Sequence, residues 1–355
     1  MAKFIRLQPS GKEITCAEDQ TVLEALEHAG YALPNNCRAG ACGECKTRVL
    51  SGTFDQGFVM DMALSRKDRA AGYGLMCMAK PTSAALELDY GTADAQPKLF
   101  PPRTGVPFVV VDKMARAPEV VELRLRPLGG RLRYWPGQHV MVGSTDPAHA
   151  ERQYSMANAP RPDGEIVLLV GRHRGGETST WIHDALAEGD VVAVSGPYGT
   201  FIGDVSLEAP VVCLAGGTGL APILALTDGA LRRGFSLPVT IVYSARRSAE
   251  VYERGLTAYW QRRYPNFHFV VTLTREAGGS GEYGGRIPDI LPGLFPHLAP
   301  YQVFIAGSPG FVAACEAAAL VCHALPERVF TEAYVPRAQP ALPASERLME
   351  PSAVG

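Results

Sequence analysis

Four cysteines set the strongest constraint on what this chain can fold around. Cys37, Cys42 and Cys45 form a C-x4-C-x2-C pattern, and Cys77 follows further along the chain. This is the plant-type spacing for the thiolate ligands of a two-iron, two-sulfur (2Fe–2S) cluster. A loop around such a cluster turns sharply and points backbone N–H groups at the sulfurs, and the glycines between these cysteines permit that turn. The spacing therefore predicts a 2Fe–2S site on four thiolates.

Zinc and disulfides are the alternative uses of these thiols. Structural zinc sites usually pair two C-x2-C units, whereas here only Cys42 and Cys45 form such a unit and Cys37 would be surplus. The N-terminus carries no long apolar run, so we expect no secretory signal and a reducing, cytoplasmic compartment. The remaining cysteines stand in apolar surroundings and are predicted to pack as small hydrophobic residues: Cys16, Cys213, Cys315 and Cys322.

Length and composition narrow the class of protein. A chain of 355 residues is long enough for two or three domains. With 46% hydrophobic residues, 20% charged residues and a net charge of −2, it has the composition of a globular protein without a strongly basic face. We therefore expect no nucleic-acid partner. Because no apolar run approaches the roughly 20 residues of a membrane helix, we also expect no membrane span.

The first part of the chain alternates short strands with one helix. Two strands at the start predict a hairpin, and Thr21 followed by Glu24 forms a capping box that opens a helix. Residues 1–93 are therefore predicted to form a small mixed sheet with one main helix packed on it. Residues 94–105, which include three prolines, are predicted to form a linker.

Two further domains follow, with different patterns. Residues 106–206 contain short strands separated by Pro and Gly turns, which predicts a closed antiparallel barrel of six strands. Residues 207–336 alternate strands with helices, which predicts a doubly wound parallel sheet. Residues 337–355 are rich in Pro with little apolar periodicity, and we expect a disordered tail or one lying on the surface.

Two motifs in the barrel region suit a flavin dinucleotide. In the strand Arg152-Gln153-Tyr154-Ser155, a cation, an aromatic ring and a hydroxyl are available to bind a phosphate, a planar ring and the edge of that ring. On its own this is also compatible with an ordinary half-exposed strand. Residues 175–180, Gly-Gly-Glu-Thr-Ser-Thr, form a glycine turn that leads into a helix, where free N–H groups suit a pyrophosphate. Together the motifs predict an FAD site.

Two glycine turns in the last domain suit a second nucleotide. Residues 215–222, Ala-Gly-Gly-Thr-Gly-Leu-Ala-Pro, connect a strand to a helix, but they do not match the G-x-G-x-x-G fingerprint, so a plain tight turn remains an alternative. Residues 306–311, Ala-Gly-Ser-Pro-Gly-Phe, follow another strand. Because the carboxyl ends of parallel strands meet at one edge of the sheet, both turns are expected to face one crevice.

The order of these motifs resembles the ferredoxin-NADP reductase superfamily. More closely, it is similar to the reductase components of multicomponent aromatic-ring-hydroxylating oxygenases of the naphthalene dioxygenase type, over roughly residues 4–336. The resemblance implies a β-grasp ferredoxin domain, an FAD-binding barrel and an NAD-binding α/β domain. It also implies that electrons pass from NADH through FAD to the 2Fe–2S cluster, and then to a separate ferredoxin or Rieske oxygenase.

The resemblance also assigns roles to individual residues. It places Arg152 at the FAD pyrophosphate, Tyr154 against the flavin and Ser155 near flavin N5, with Gln153 in the same strand. It makes Ser155 and Tyr334, an aromatic residue beside the isoalloxazine, the catalytic residues. The other implied cofactor-binding residues are Gly176, Thr178 and Ser179 for the pyrophosphate, and Gly217, Thr218, Gly219, Gly307 and Pro309 for the nicotinamide nucleotide. Many relatives have Cys-Gly-Pro where this chain has Ala-Gly-Ser at 306–308, so a cysteine at the nicotinamide plays no part here.

The coenzyme and the protein that accepts the electrons each have more than one candidate. Four residues are available to hold the 2'-phosphate of NADPH, or are simply solvated or paired with Glu250 and Glu253: Ser244, Arg246, Arg247 and Arg275. Relatives with this motif order mostly use NADH, which is the coenzyme we predict. A reductase for a di-iron monooxygenase acting on toluene, phenol or methane is one alternative. A non-catalytic iron–sulfur redox sensor is another, although it would not need the flavin and nucleotide motifs.

Overall fold

A computed structural model describes residues 3–145, 149–204, 206–279 and 281–334. The predicted tail over residues 337–355 lies outside this part of the chain. Within the described residues, no helix combines the length and the apolar character needed to cross a membrane.

The N-terminal domain is a five-stranded mixed sheet with one main helix packed on it, as in a β-grasp fold. Its elements are β1 (Lys3–Gln8), β2 (Lys12–Cys16), α1 (Val22–His28), β3 (Lys46–Ser51), β4 (Phe54–Asp55), α2 (Arg66–Ala70), β5 (Tyr73–Leu75), β6 (Lys80–Pro81) and β7 (Ala85–Asp89). The sheet order is β2-β1-β7-β3-β5, and β1 lies parallel to β7. The predicted capping box is confirmed, because Thr21 and Glu24 each accept a hydrogen bond from the backbone N–H of the other. The segment between α1 and β3 carries Cys37, Cys42 and Cys45 and is called the cysteine loop below.

The connection to the second domain is packed against both of its neighbours. The carbonyl oxygen of Gly30, at the end of α1, accepts hydrogen bonds from the N–H groups of Lys98 and Leu99 at 2.7 and 2.9 Å. The Trp135 indole N–H in turn donates to the carbonyl of Lys98 at 2.8 Å, and its ring stacks on Phe100. The first barrel strand begins at Arg103, so the last residues of the predicted linker are strand. This connection therefore ties the two domains together.

The second domain is an antiparallel six-stranded sheet that closes into a barrel. Its elements are β8 (Arg103–Ala117), β9 (Val120–Pro127), β10 (His139–Ser144), β11 (Arg152–Ser155), β12 (Ile166–Gly171), α3 (Glu177–Asp184) and β13 (Val191–Tyr198), in the strand order β11-β10-β13-β8-β9-β12. A bridge between Met156 and Leu168 joins the two edges of the sheet. Alternate residues of each strand point inward and form the apolar core of the barrel, among them Phe108, Leu123 and Val140.

The third domain is a six-stranded parallel sheet with helices on both faces. Its elements are β14 (Val211–Gly216), α4 (Leu220–Arg232), β15 (Val239–Ala245), α5 (Arg254–Arg263), β16 (Phe267–Leu273), β17 (Glu282–Gly284), α6 (Ile287–Leu294), β18 (Gln302–Gly307), α7 (Pro309–Val321) and β19 (Val329–Ala333). The order β17-β16-β15-β14-β18-β19 reverses its direction at β14, which lies between β15 and β18. Such a reversal opens a crevice at the carboxyl ends of the strands, where ligands bind.

Candidate functional site

One cavity of about 300 Å³ brings residues from all three domains together. Its wall consists of Asn36, Cys37, Arg152, Gln153, Tyr154, Ser155, Leu169, Gly171, His173, Gly175, Gly176, Glu177, Thr178, Ser179, Thr218, Ala221 and Tyr334. Every residue that the sequence predicted for the flavin lies in this wall. Of the residues predicted for the nicotinamide nucleotide, Thr218 lies in it as well.

The end of β11 forms a hydrogen-bonded group at the bottom of the cavity. The hydroxyl of Ser155 donates to the carboxylate of Glu332 on β19, with 3.2 Å to each carboxylate oxygen. The phenol of Tyr334 donates to the Ser155 oxygen at 3.4 Å and to the carbonyl of Thr218 at 3.3 Å. Burial raises the pKa of Tyr334 well above its ordinary value, which keeps this phenol protonated as a donor. These contacts fix the Ser155 hydroxyl where barrel and parallel sheet meet.

Arg152 and the start of α3 provide the anion-binding part of the cavity. The Arg152 guanidinium donates to the carbonyl of Glu151 at 3.0 Å, and among the described residues no carboxylate pairs with it. Helix α3 begins after Gly176 without a side-chain cap, and the backbone N–H groups of its first three residues have no acceptor within the described part of the chain. A free guanidinium beside such N–H groups fits a pyrophosphate.

The hydroxyls of Thr178 and Ser179 already form hydrogen bonds with backbone groups of the barrel domain. Thr178 Oγ1 donates to the carbonyl of Ala150 at 2.7 Å. Ser179 Oγ accepts from the N–H of His173 at 3.1 Å and donates to the carbonyl of Gly176 at 3.2 Å. We therefore assign the predicted pyrophosphate contact of this loop mainly to its backbone N–H groups.

The two glycine turns of the third domain lie against each other at the carboxyl edge of the sheet. Gly219 has no room for a side chain, because a Cβ there would lie 2.1 Å from the carbonyl oxygen of Ala306 and 2.8 Å from the nitrogen of Gly307. Gly307 accepts a hydrogen bond from the N–H of Tyr334 at 2.9 Å. Gly217 accepts one from the Tyr252 hydroxyl at 2.6 Å. Pro309 begins α7 directly after this contact.

The predicted cluster ligands form two thiol pairs, with three cysteines in the loop before β3 and Cys77 after β5. Cys37 contacts Cys42, and Cys45 contacts Cys77. The Sγ of Cys37 accepts hydrogen bonds from the backbone N–H groups of Ala39, Ala41 and Cys42 at 3.5, 3.4 and 3.3 Å. The hydrogen bond from the Cys42 thiol, followed by these N–H groups, lowers the pKa of Cys37 and so favours its thiolate.

This arrangement fits two irons better than one metal ion. Within the described residues, no three or more His, Cys, Asp or Glu side chains are grouped to hold a single ion, as structural zinc would require. Two pairs of thiols instead provide two ligands for each of two irons, and N–H groups directed at sulfur suit a cluster. The remaining four cysteines are buried in apolar cores as predicted: Cys16, Cys213, Cys315 and Cys322.

Comparisons with known proteins agree with this site. Sequence models of three domain families match the chain: a 2Fe-2S iron-sulfur cluster binding domain over residues 5–82, an oxidoreductase FAD-binding domain over 108–202 and an oxidoreductase NAD-binding domain over 213–317. The reductase subunit of an aromatic O-demethylase from Amycolatopsis is 35% identical over 92% of this chain and 97% of its own length. This chain belongs to that family of oxygenase reductases. It is an electron-transfer oxidoreductase with binding domains for a 2Fe–2S cluster, FAD and NAD(H).

Other relatives of this reductase have the same organisation. Reductase component 1 of terephthalate 1,2-dioxygenase from Comamonas is 30% identical over 89% of this chain and 92% of its own length. Among solved structures, the Amycolatopsis cytochrome P450 reductase GcoB superposes with a TM-score of 0.84 at 32% identity, covering 94% of this chain and 99% of its own. The β-grasp, barrel and parallel-sheet domains predicted from the resemblance are therefore confirmed in this reductase.

Sequence reasoning missed several residues of the site. Glu332 is buried, accepts from Ser155 and lies 3.7 Å from Nδ1 of the buried His139. Phe311 packs its ring against both glycine turns, since a Cβ at Gly307 would lie 2.8 Å from it. One signal for Glu332 was available: it stands two positions before Tyr334 at the end of a strand, so both side chains project on the same side.

The cationic residues at the carboxyl edge of the sheet have different environments. Arg246 pairs with Glu250 at 2.9 Å, as one alternative expected. Glu253 instead lies 3.5 Å from Arg116. Arg247 and Arg275 are exposed, and neither forms an ion pair with a described residue. This pattern does not separate NADH from NADPH.

Proposed function

We propose that this reductase passes electrons from NADH through FAD and its 2Fe–2S cluster to a separate terminal oxygenase component that acts on an aromatic compound, directly or through a separate ferredoxin. When bound, the flavin accepts an electron pair from the nicotinamide and releases electrons singly, as a cluster requires. Arg152 and the N-terminus of α3 would hold the FAD pyrophosphate, Tyr154 and Tyr334 would contact the ring system, and Ser155 would bind at its edge. Cys37, Cys42, Cys45 and Cys77 would hold the cluster.

One observation carries this proposal. Cys37 lies in the wall of the same cavity as Arg152, Tyr154 and Ser155. A cluster on these thiols and a flavin in this cavity would therefore be neighbours, with no long protein segment between them. A redox sensor without a flavin would not need a flavin cavity beside its cluster.

The residues around the cavity hold the barrel and the nucleotide-binding turns in place around the predicted cofactors. Tyr334 joins Ser155 to Thr218 and so holds the barrel against the nucleotide-binding turn. Gly217, Thr218 and Gly219 offer backbone to a nicotinamide nucleotide on one side, and Gly307 and Pro309 do so on the other. We propose NADH as the coenzyme, because relatives with this motif order mostly use it. We place the reaction in the cytoplasm, where free thiols persist.

A cytochrome P450 is a second candidate for the terminal component. The Amycolatopsis relatives at 35% and 32% identity are named as an aromatic O-demethylase reductase and a cytochrome P450 reductase. The Comamonas relative at 30% identity is named for a dioxygenase. The two candidates are distinguished by the rate at which the NADH-reduced protein reduces each oxygenase.

The experiment that tests the electron path is an anaerobic titration with NADH. Visible absorption follows the flavin and electron paramagnetic resonance follows the cluster. We expect the flavin band to bleach and a rhombic signal of a reduced cluster to appear. If the flavin bleaches while the cluster stays oxidised, the order of transfer is wrong. Titration with NADPH tests the coenzyme, and equal rates with both would contradict a preference for NADH.

A further inference from the structure

The two residues that flank Cys37 each contact a different domain. Asn36 contacts the end of β19 in the third domain, and Arg38 contacts β13 in the barrel. We propose that Asn36 and Arg38 are positioning residues that dock the ferredoxin domain against the flavin cavity, so that electrons enter the cluster at Cys37. This inference rests on the proposed function and names the residues that set its internal step.

Asn36 links the cysteine loop to the strand end beside the cavity. Its Nδ2 donates to the carbonyl oxygen of Ala333 at 2.5 Å. Ala333 lies between Glu332, which accepts from Ser155, and Tyr334, which lines the cavity. Asn36 itself is buried in the cavity wall. One hydrogen bond therefore connects the residue before Cys37 to the backbone that carries two side chains of the site.

Arg38 provides the second contact. Its guanidinium pairs with Glu27 of α1 at 2.5 Å and lies over the ring of Tyr198 in β13, 4.3 Å from the ring centroid. The pair is nearly desolvated, since the side chains of Arg38 and Glu27 are 12% and 3% exposed. Arg38 also adopts a left-handed φ of 53°, which a residue other than glycine rarely does. Glu27 of the ferredoxin helix therefore holds the Arg38 cation of the cysteine loop over the barrel aromatic ring.

Cys37 is the cluster cysteine between these two contacts. Of the four, it alone is in the cavity wall formed by the described residues. Its sulfur is fixed by three backbone N–H groups of its own loop. The step that this geometry serves is a single-electron transfer: the reduced flavin loses one electron, the oxidised cluster gains it, and no bond to Cys37 forms or breaks. NADH is the source of the electron.

The matched pair Asn36→Ala and Asn35→Ala tests the first contact. Asn35 Nδ2 donates to the carbonyl of Leu33 at 2.8 Å, within the same domain, so its loss removes a similar bond without touching the interface. Anaerobic stopped-flow and freeze-quench experiments with NADH follow flavin reduction and cluster reduction separately, and we expect flavin reduction to be unchanged in Asn35→Ala. Cluster reduction should slow about five- to tenfold in Asn36→Ala only, since one hydrogen bond contributes about 1 kcal/mol.

A second pair of variants tests Arg38 through its partner. Tyr198→Phe keeps the ring beneath the guanidinium, and Tyr198→Leu removes it. We expect Tyr198→Phe to transfer electrons at the wild-type rate and Tyr198→Leu to be slowed about fivefold, because a cation over an aromatic ring contributes about 1 kcal/mol. Neither change touches a cluster ligand, so both proteins should keep full iron content and the same visible circular dichroism.

The midpoint potential of the cluster separates positioning from a change in driving force. Slower cluster reduction in Asn36→Ala, with unchanged iron content and an unchanged midpoint potential, supports the proposal. The proposal is overturned if the potential falls with the rate, or if Asn35→Ala is slowed equally. A wild-type protein whose cluster NADH does not reduce at all would instead contradict the proposed function, which makes the two failures distinguishable.

Discussion

The hydroxyl of Ser155 lies 3.2 Å from both carboxylate oxygens of Glu332, although the two residues are 177 positions apart. Both are buried, and the Tyr334 phenol donates to the same hydroxyl. A barrel strand and the last strand of the parallel sheet therefore share one polar contact at the cavity. Because this contact holds Ser155 in one orientation, it makes the serine the most informative residue to change.

We expect Ser155→Ala to slow flavin reduction by NADH about a hundredfold, the effect of removing a positioned hydroxyl from a reacting centre. The loss also leaves the Glu332 carboxylate without its donor, which should cost about 1–3 kcal/mol of unfolding free energy. Stopped-flow absorbance of the flavin band and urea unfolding measure the two effects. The matched variant Glu332→Gln keeps an acceptor for Ser155 and should remain the faster of the two. A slower Glu332→Gln would show that the carboxylate itself, rather than its hold on Ser155, carries the effect.

Arg152 should control FAD affinity. The guanidinium lines the cavity without a carboxylate partner among the described residues, so its charge is available to a pyrophosphate. Because a hydrogen bond to a charged group contributes about 1.5–3 kcal/mol, Arg152→Ala should weaken FAD binding by about 10- to 100-fold. Quenching of flavin fluorescence on adding FAD to the apoprotein measures the Kd. Arg131, which is exposed and donates to the carbonyl of Pro162, is the control, and Arg131→Ala should leave the Kd unchanged. Equal losses of FAD affinity in both variants would show that overall positive charge, rather than a direct contact from Arg152, controls FAD binding.

Features formed by residues close together in the chain were predicted from the sequence. The cysteine spacing, the capping box at Thr21 and the strand of Arg152 to Ser155 each follow from side chains a few positions apart, and each is present in the structure. The residues predicted for the flavin line one cavity, and their role remains a prediction.

Contacts between distant segments could not be predicted from the sequence. Neither Glu332 nor Asn36 carries a local signal of the partner it meets, because those partners depend on how three domains pack. The connection at residues 94–105 was predicted as a linker from its composition, yet its backbone bonds to Gly30, which composition does not report. The resemblance implied that Thr178 and Ser179 bind the pyrophosphate, without saying through which atoms. In the structure the Thr178 hydroxyl donates to the distant carbonyl of Ala150, and the Ser179 hydroxyl accepts from the N–H of His173.

Gly219 should tolerate no side chain. A Cβ would lie 2.1 Å from the carbonyl oxygen of Ala306, a distance that only a shift of the backbone relieves. We expect Gly219→Ala to lower the unfolding free energy by about 1–3 kcal/mol and to raise the KM for NADH, measured with ferricyanide as acceptor. Gly255, in α5, has open space around its Cβ position, so Gly255→Ala should be neutral or stabilise by about 0.5–1 kcal/mol with an unchanged KM. A Gly219→Ala protein as stable as Gly255→Ala would contradict the close packing of the two glycine turns.

Tyr90 should make the protein less stable at high pH. Burial, with a smaller contribution from Tyr31, raises the pKa of Tyr90 to about 12, and its hydroxyl donates to the carbonyl of Ala32 at 2.6 Å. The unfolded chain loses the phenolic proton near its ordinary pKa of about 10, before the folded protein does, so stability falls as pH rises from about 10 to about 12. The ring is only half-buried, and solvent screening reduces the effect to about 1 kcal/mol.

Tyr90→Phe has no proton to lose, so its stability should fall less over the same range. We expect it to be less stable than wild type at about pH 9, because it lacks the bond to Ala32, and this gap to narrow by about 1 kcal/mol at about pH 12. Urea unfolding of both proteins at the two pH values measures the gap, and contributions from other titrating groups cancel in the comparison. A gap that stays constant would show that the Tyr90 phenol titrates alike in the folded and unfolded protein.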